Sequence, residues 1–299
     1  MKKMLITGGT VFVSRYAAEY FSKQYDVYVL NRNTKPQCSG VTLLEADRHD
    51  LSGKLRNFHF DVVLDITAYN KQDIEDLLNG LGSFDDYIFI SSSAVYPETN
   101  PQPFAEEGNT SVNQYWGGYG TNKIEAEKVL LSRVPKAYIL RPPYLYGPMN
   151  NVYREAFVFD CARQAMPFYL PGKGSMKLQF FHIRDLCRFI EIILLEHPEQ
   201  HTFNVGNAES VSIKQWATIC YEAAKCSVSF VEVSKKIEQR QYFPFYDYEY
   251  ALDVSKMKMY MKDTIDLRQG IQECYDWYIK NENMVIKKPY LSFIEQNLR

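Results

Sequence analysis

The chain has 299 residues, 46% of them hydrophobic and 23% charged, which is material for one large domain or two modest ones and excludes a disordered polymer. A formal net charge of -2 supplies no basic field to draw in nucleic acid or an anionic membrane, so neither is expected as a partner. Six scattered cysteines, without a C-x-x-C pair or a histidine at ligand spacing, argue against a structural metal and suit thiols in a reducing compartment.

From Met1-Lys2-Lys3 the chain enters a short apolar strand at once, without a secretory h-region, and no apolar run reaches the roughly 20 residues that span a bilayer. A cytoplasmic protein is expected. Strand-like runs follow at residues 4–7, 27–30, 41–44, 62–66 and 87–90. Between them lie apolar residues at helical spacing, Phe12, Tyr16 and Tyr20, then Ile74, Leu77, Leu78 and Leu81. Strands alternating with helices pair in parallel, and helices on both faces make an α/β, doubly wound parallel sheet. After about residue 150 the pattern weakens and Pro-Gly punctuation appears, which marks a second, smaller lobe. The segment 235–250, rich in Tyr and Phe, reads as packing ahead of a substrate wall.

Thr7-Gly8-Gly9-Thr10 stands between the first strand and the first helix, where backbone amides attract a pyrophosphate and glycine permits the tight turn. A full dinucleotide fingerprint has glycines at 8, 11 and 14. Here the last two are Val11 and Ser14, and the branched Val11 would project towards the phosphates. At the end of the second strand, where a carboxylate holds the ribose of NAD, Asn31 and Arg32 stand instead. A guanidinium there can pair with a 2′-phosphate, which places NADP ahead of NAD. Asp47 could reach the adenine amine or simply cap a turn.

Tyr119 and Lys123, four apart in a helical run, share one helix face. An ammonium beside a phenol lowers its pKa from about 10 towards neutrality, so that it can exchange a proton with a substrate hydroxyl or carbonyl. The same spacing recurs at Tyr169/Lys173 and Tyr221/Lys225, but the first precedes a Pro-Gly turn and the second lies past the nucleotide-binding half. Only Tyr119 follows a strand that ends in hydroxyls, Ser91-Ser92-Ser93-Ala94-Val95-Tyr96, at the sheet edge where such folds place ligands.

These motifs, together with Arg141-Pro142-Pro143-Tyr144-Leu145-Tyr146-Gly147-Pro148, Phe181-His182-Ile183-Arg184-Asp185, Phe203-Asn204-Val205-Gly206 and Asp253-Val254-Ser255-Lys256, resemble extended short-chain dehydrogenase/reductases of the NAD-dependent epimerase/dehydratase family. The resemblance implies a Rossmann domain over 1–165, to which segments around 178–206 return, and a smaller C-terminal substrate lobe over 166–299. It implies Ser92 as the catalytic hydroxyl, Tyr119 as the base and Lys123 as its partner. Cofactor contacts would come from Thr7, Gly8, Gly9, Thr10, Phe12, Val13, Asn31, Arg32, Asp47, Arg48, Tyr119, Lys123 and Pro142. Ser93, Tyr144 and Lys177 would face a small-molecule substrate, sugar-like and nucleotide-linked, and homodimers are a family expectation.

Departures narrow the reading. Ser93-Ala94 stands where family dehydratases carry an Asp-Glu pair, which disfavours 4,6-dehydration. Leu178 replaces an Arg that helps bind a substrate diphosphate, with Lys177 as the substitute. Asn31-Arg32, Asp47-Arg48 and Asp65-Ile66-Thr67-Ala68-Tyr69 are most similar to a subgroup that includes chloroplast stem-loop RNA-binding proteins, some of which lack glycine at the position of Val11. The expectation is thus an NAD(P)-dependent oxidoreductase or epimerase, and the alternative is a non-catalytic protein of the same fold that binds RNA.

Overall fold

A computed structural model describes residues 1–234 and 236–298; Lys235, the first residue of the aromatic segment, and Arg299 lie outside the described residues. In chain order the elements are β1 (Lys3–Thr7), α1 (Phe12–Phe21), β2 (Asp26–Asn31), β3 (Val41–Glu45), β4 (His59–Asp65), α2 (Lys71–Gly80), β5 (Ser83–Ile90), a 3₁₀ turn at Ser93–Val95, α3 (Gly118–Arg133) and β6 (Tyr138–Arg141). There follow β7 (Tyr144–Tyr146), α4 (Glu155–Arg163), β8 (Phe168–Pro171), β9 (Lys177–Leu178), β10 (Phe180–His182), α5 (Ile183–Glu196), β11 (Thr202–Asn204), β12 (Val211–Ser212), α6 (Ile213–Ala223), β13 (Phe230–Val233), α7 (Ser255–Tyr260), α8 (Leu267–Asn281) and α9 (Tyr290–Asn297).

Seven strands form one parallel sheet in the order β11-β6-β5-β4-β1-β2-β3, the doubly wound arrangement expected. Order reverses beside β1, so the carboxyl ends of β1 and β4 flank the crevice in which such sheets bind ligands. The central strands are buried on both faces, which is why they read as continuous apolar runs rather than alternating ones. Leu5, Val63 and Phe89 pack with Ile74 and Leu77 of α2 and Ala126 and Leu130 of α3 in one apolar layer. Helices α1 and α5 meet each other, joined by the Tyr20 hydroxyl on Glu191 at 2.7 Å.

The chain divides into two units. The first comprises Met1–Pro143, Ile183–Gly206 and Leu252–Asp263; the second comprises Tyr144–His182, Asn207–Ala251 and Thr264–Arg299, of which Lys235 and Arg299 are not described. Among its described residues the second unit has three two-stranded pieces, two parallel and one antiparallel, and an aromatic core in which Trp216, Phe180, Phe243 and Phe245 pack together. All six cysteines are free thiols, five of them buried. Among the described residues no helix is long and apolar enough to cross a membrane.

Candidate functional site

Parallel pairing brings the exits of β1, β2, β4, β5 and β6 to one edge of the first unit, and most of the residues singled out in the sequence lie there. The glycine turn is dictated by packing. Gly8 and Gly9 both have positive φ; a Cβ on Gly8 would stand 2.8 Å from the Ser14 hydroxyl, and one on Gly9 2.5 Å from Val29. Val11 is extended, with φ of -138°, so its place demands no glycine; its carbonyl accepts from the Ser14 hydroxyl at 3.0 Å. No side chain caps α1, which leaves first-turn amides for an anion, and Phe12 enters the helix at φ of 38°. Any side chain at residue 8 or 9 would collide with Ser14, Thr67 or Val29, so the tight turn is kept, and with it the uncapped amides of α1 that could receive an anion such as a pyrophosphate.

Thr7 does a different task from its glycine neighbours. Its hydroxyl donates to Asp65 at 2.7 Å and accepts from the amides of Ile66 and Thr67, which fastens the β1 exit to the β4 exit. Asp65, fully buried, also accepts from Tyr87 at 2.8 Å and from Arg48 at 2.9 Å. Arg48 is therefore drawn inward as the counter-charge of a buried carboxylate, although the sequence placed it beside Asp47 as a cofactor contact. Burial works against its charge and the Asp65 carboxylate outweighs that, raising its pKa. Asn31 donates to the Gly8 carbonyl at 2.6 Å and steadies the turn. Arg32 is the exposed member of the pair, 72% open at its side chain and 3.8 Å from Asp47, which in turn accepts from the His49 amide.

At the β5 exit the three serines separate. Ser91 turns inward and donates to Glu127 at 2.5 Å; Ser93 is buried, its amide on the Pro142 carbonyl at 2.9 Å. Ser92 is half-buried, and its hydroxyl caps the 3₁₀ turn by accepting from the Ala94 amide at 3.2 Å. Tyr119, on the first turn of α3, is 41% exposed, its ring centroid 6.5 Å from that of Tyr69. Lys123, one turn on, is 2% exposed and donates from Nζ to the carbonyls of Ala68 at 2.7 Å and Ile90 at 2.8 Å, which ties the β4 and β5 exits together. Burial brings its ammonium down to about 8 against the pull of Asp65 and Glu127.

Two residues not assigned a site role from the sequence complete this edge. Gly120 lets α3 press against the Ser93–Val95 turn, since a Cβ there would stand 2.2 Å from the Ala94 carbonyl oxygen. Tyr69, 57% exposed, lies with its ring 5.5 Å from Lys123 Nζ. The rejected Tyr-x-x-x-Lys pairs lie elsewhere: Tyr169 is in β8, and Tyr221 is buried in α6 with its hydroxyl on the Met166 carbonyl. Tyr144 is packed inside the second unit among Phe180, Phe245 and Tyr250, and Lys177 is exposed in β9 of that unit. His59, Asp61 and Asp85 cluster at the surface, but His59 bonds Ser83 and Asp61 accepts from the Lys3 amide.

The sequence profile of the NAD dependent epimerase/dehydratase family matches residues 4–206. The chain belongs to this family. Among relatives, the chloroplast stem-loop binding protein of 41 kDa b from Arabidopsis thaliana is 27% identical over 92% of this chain and 79% of its own. GDP-L-fucose synthase 1 of Arabidopsis thaliana is 25% identical over 65% of this chain and 63% of its own. Among solved structures, UDP-glucuronic acid 4-epimerase from Bacillus cereus, in complex with UDP-glucuronic acid and NAD, superposes with a TM-score of 0.74 at 19% identity, over 93% of this chain and 99% of that one. The family fold is thus present, with Ser92 and Tyr119 following the exit of β5 and Gly8 and Gly9 following that of β1 in the same parallel sheet.

Proposed function

We propose that this protein is an NAD(P)-dependent oxidoreductase or epimerase acting on a hydroxyl or carbonyl of a sugar-like, nucleotide-linked substrate. The reading is supported by an exposed phenol, Tyr119, one helical turn before a buried, doubly anchored lysine, on a helix that packs against the turn opened by the half-buried Ser92. Residues 8–13 would hold a pyrophosphate and Arg32 a 2′-phosphate, which favours NADP. When bound, the nicotinamide supplies or accepts a hydride.

In the direction of oxidation, Tyr119 Oη takes the proton of the substrate hydroxyl, and in reduction it returns one to the carbonyl oxygen. The Ser92 hydroxyl orients that oxygen. The Lys123 ammonium favours the phenolate, and its fixed bonds to Ala68 and Ile90 keep the charge in place. Elimination of water is disfavoured because Ser93 and Ala94 offer no carboxyl group.

Binding of a structured RNA without turnover is favoured by one observation, the name of the Arabidopsis relative that covers 92% of the chain. Titration calorimetry with NADH and NADPH, alongside a salt-dependent gel shift with stem-loop RNA, separates the two. With nucleoside-diphosphate sugars as substrates, Tyr119→Phe is expected to lower turnover by about 100-fold or more while dinucleotide affinity holds. Retained turnover in that variant, or an RNA shift without any dinucleotide binding, would defeat the enzymatic reading.

A further inference from the structure

The turn that displays Ser92 is pinned at both ends to one buried ion pair. On its upstream side the Ser91 hydroxyl donates to Glu127 Oε1 at 2.5 Å. On its downstream side the Tyr96 hydroxyl accepts from Arg141 Nη1 at 2.7 Å and donates to Asn204 Oδ1 at 2.8 Å. Glu127 and Arg141 join through two bonds, Nε to Oε1 at 3.0 Å and Nη2 to Oε2 at 2.6 Å, and their side chains are 6% and 7% exposed. Asn204 of β11 closes the far side, its amide on Glu106 and its side chain on the Phe104 carbonyl.

The position of Glu127 along the helix matters as much as its partners. It follows Tyr119 by eight residues and Lys123 by four, so all three share one face of α3. The helix that carries the phenol therefore also grips the upstream end of the turn that carries the serine and, through Arg141 of β6, its downstream end. A buried ion pair contributes little net stability compared with an apolar packing of the same volume, so its distinguishing property is directional: two forked, charge-assisted bonds fix an orientation that methyl groups would not.

We infer that Glu127 and Arg141 are positioning residues that hold the Ser92 hydroxyl in register with the Tyr119 phenol. The inference rests on Ser92 and Tyr119 being the reacting pair, and its test is built so that the two can fail separately. Amide exchange read by mass spectrometry on the full chain needs no substrate. Glu127→Ala is expected to speed exchange over residues 91–97 by about tenfold or more, with the central strands unchanged within about threefold.

Kinetics with whichever nucleoside-diphosphate sugar the wild type turns over supply the second arm. In Glu127→Ala, kcat is expected to fall by about 100-fold, the cost of a displacement near 1 Å, while KM stays within about threefold. Glu127→Gln, which keeps an acceptor for Ser91 or Arg141, should restore about tenfold of that loss. Should Glu127→Ala not fold, Ser91→Ala removes a single hydroxyl and carries both measurements, with smaller changes confined to the same segment. Exchange that is unchanged at 91–97, exchange that rises evenly across the sheet, or a KM effect at constant kcat overturns the inference. Turnover that survives Tyr119→Phe would instead sink the proposed chemistry and leave the exchange result to judge the clamp.

Discussion

Lys123 shows how one side chain can be pulled in opposite directions by stability and by function. Its ammonium, brought to about 8 by burial, keeps its proton to 10.5 once the chain unfolds. The folded state therefore bears a full desolvation cost below pH 8, and that cost is relieved as pH rises from about 8 to 10.5. Catalysis should run the other way, because the charge that favours the Tyr119 phenolate disappears over the same interval. A pH–rate profile is expected to fall on its alkaline side with an apparent pKa of about 8, while thermal melts record no parallel loss attributable to this group. A rate that stays flat through pH 9 would remove Lys123 from the mechanism. Arg32, exposed and only loosely paired with Asp47, supplies a second test: Arg32→Ala should weaken NADPH by about tenfold in a fluorescence titration and spare NADH. Equal loss for both would end the case for a 2′-phosphate contact. That Tyr119 and Lys123 share one helix was legible from their spacing of four, which alone did not separate them from Tyr221/Lys225. Arg48 and Arg141 were not legible, since their carboxylate partners, Asp65 and Glu127, lie 17 and 14 residues away and nothing local announces the pairing.

At the scale of elements, α3 is placed by a missing side chain. Gly120 costs its helix about 1 kcal/mol relative to alanine. Yet a Cβ there would lie 2.2 Å from the Ala94 carbonyl oxygen, and overpacking of that kind costs about 1–3 kcal/mol. The clash outweighs the propensity. Gly120→Ala should lower the melting temperature and reduce turnover by more than the lost folded fraction, because the shift moves Tyr119 away from Ser92; melts and rates on the same preparation check it. An unchanged melt would mean that helix and turn are not in contact. The strand runs 4–7, 27–30, 41–44 and 87–90 fall inside β1, β2, β3 and β5; the first and last are apolar because those strands are buried, whereas β3, at the sheet edge, has no fully buried residue and shows only in its apolar Val41, Leu43 and Leu44. The run 62–66 covers β4 as far as Asp65 and oversteps it at Ile66. The start of β5 escapes that reading, since Asp85 and Asp86 break the apolar run, and β6, four residues long, is too short to display any period.

For the molecule as a whole, the fold is shared with a solved epimerase at 19% identity, a TM-score of 0.74. The second unit was the less legible one, since Tyr144 is enclosed there by aromatic neighbours distant in sequence and the Pro-Gly punctuation breaks the local pattern. The first unit, moreover, is not one stretch of chain: its edge strand β11 arrives at residue 202, and the backbone of Asp253 still has to bond the Phe104 carbonyl. A ribosome making this protein must therefore release most of the second unit before the first can be finished. The half-built sheet waits with the partner sites along β6 unfilled, so a nascent chain arrested near residue 200 should be the species that chaperones hold.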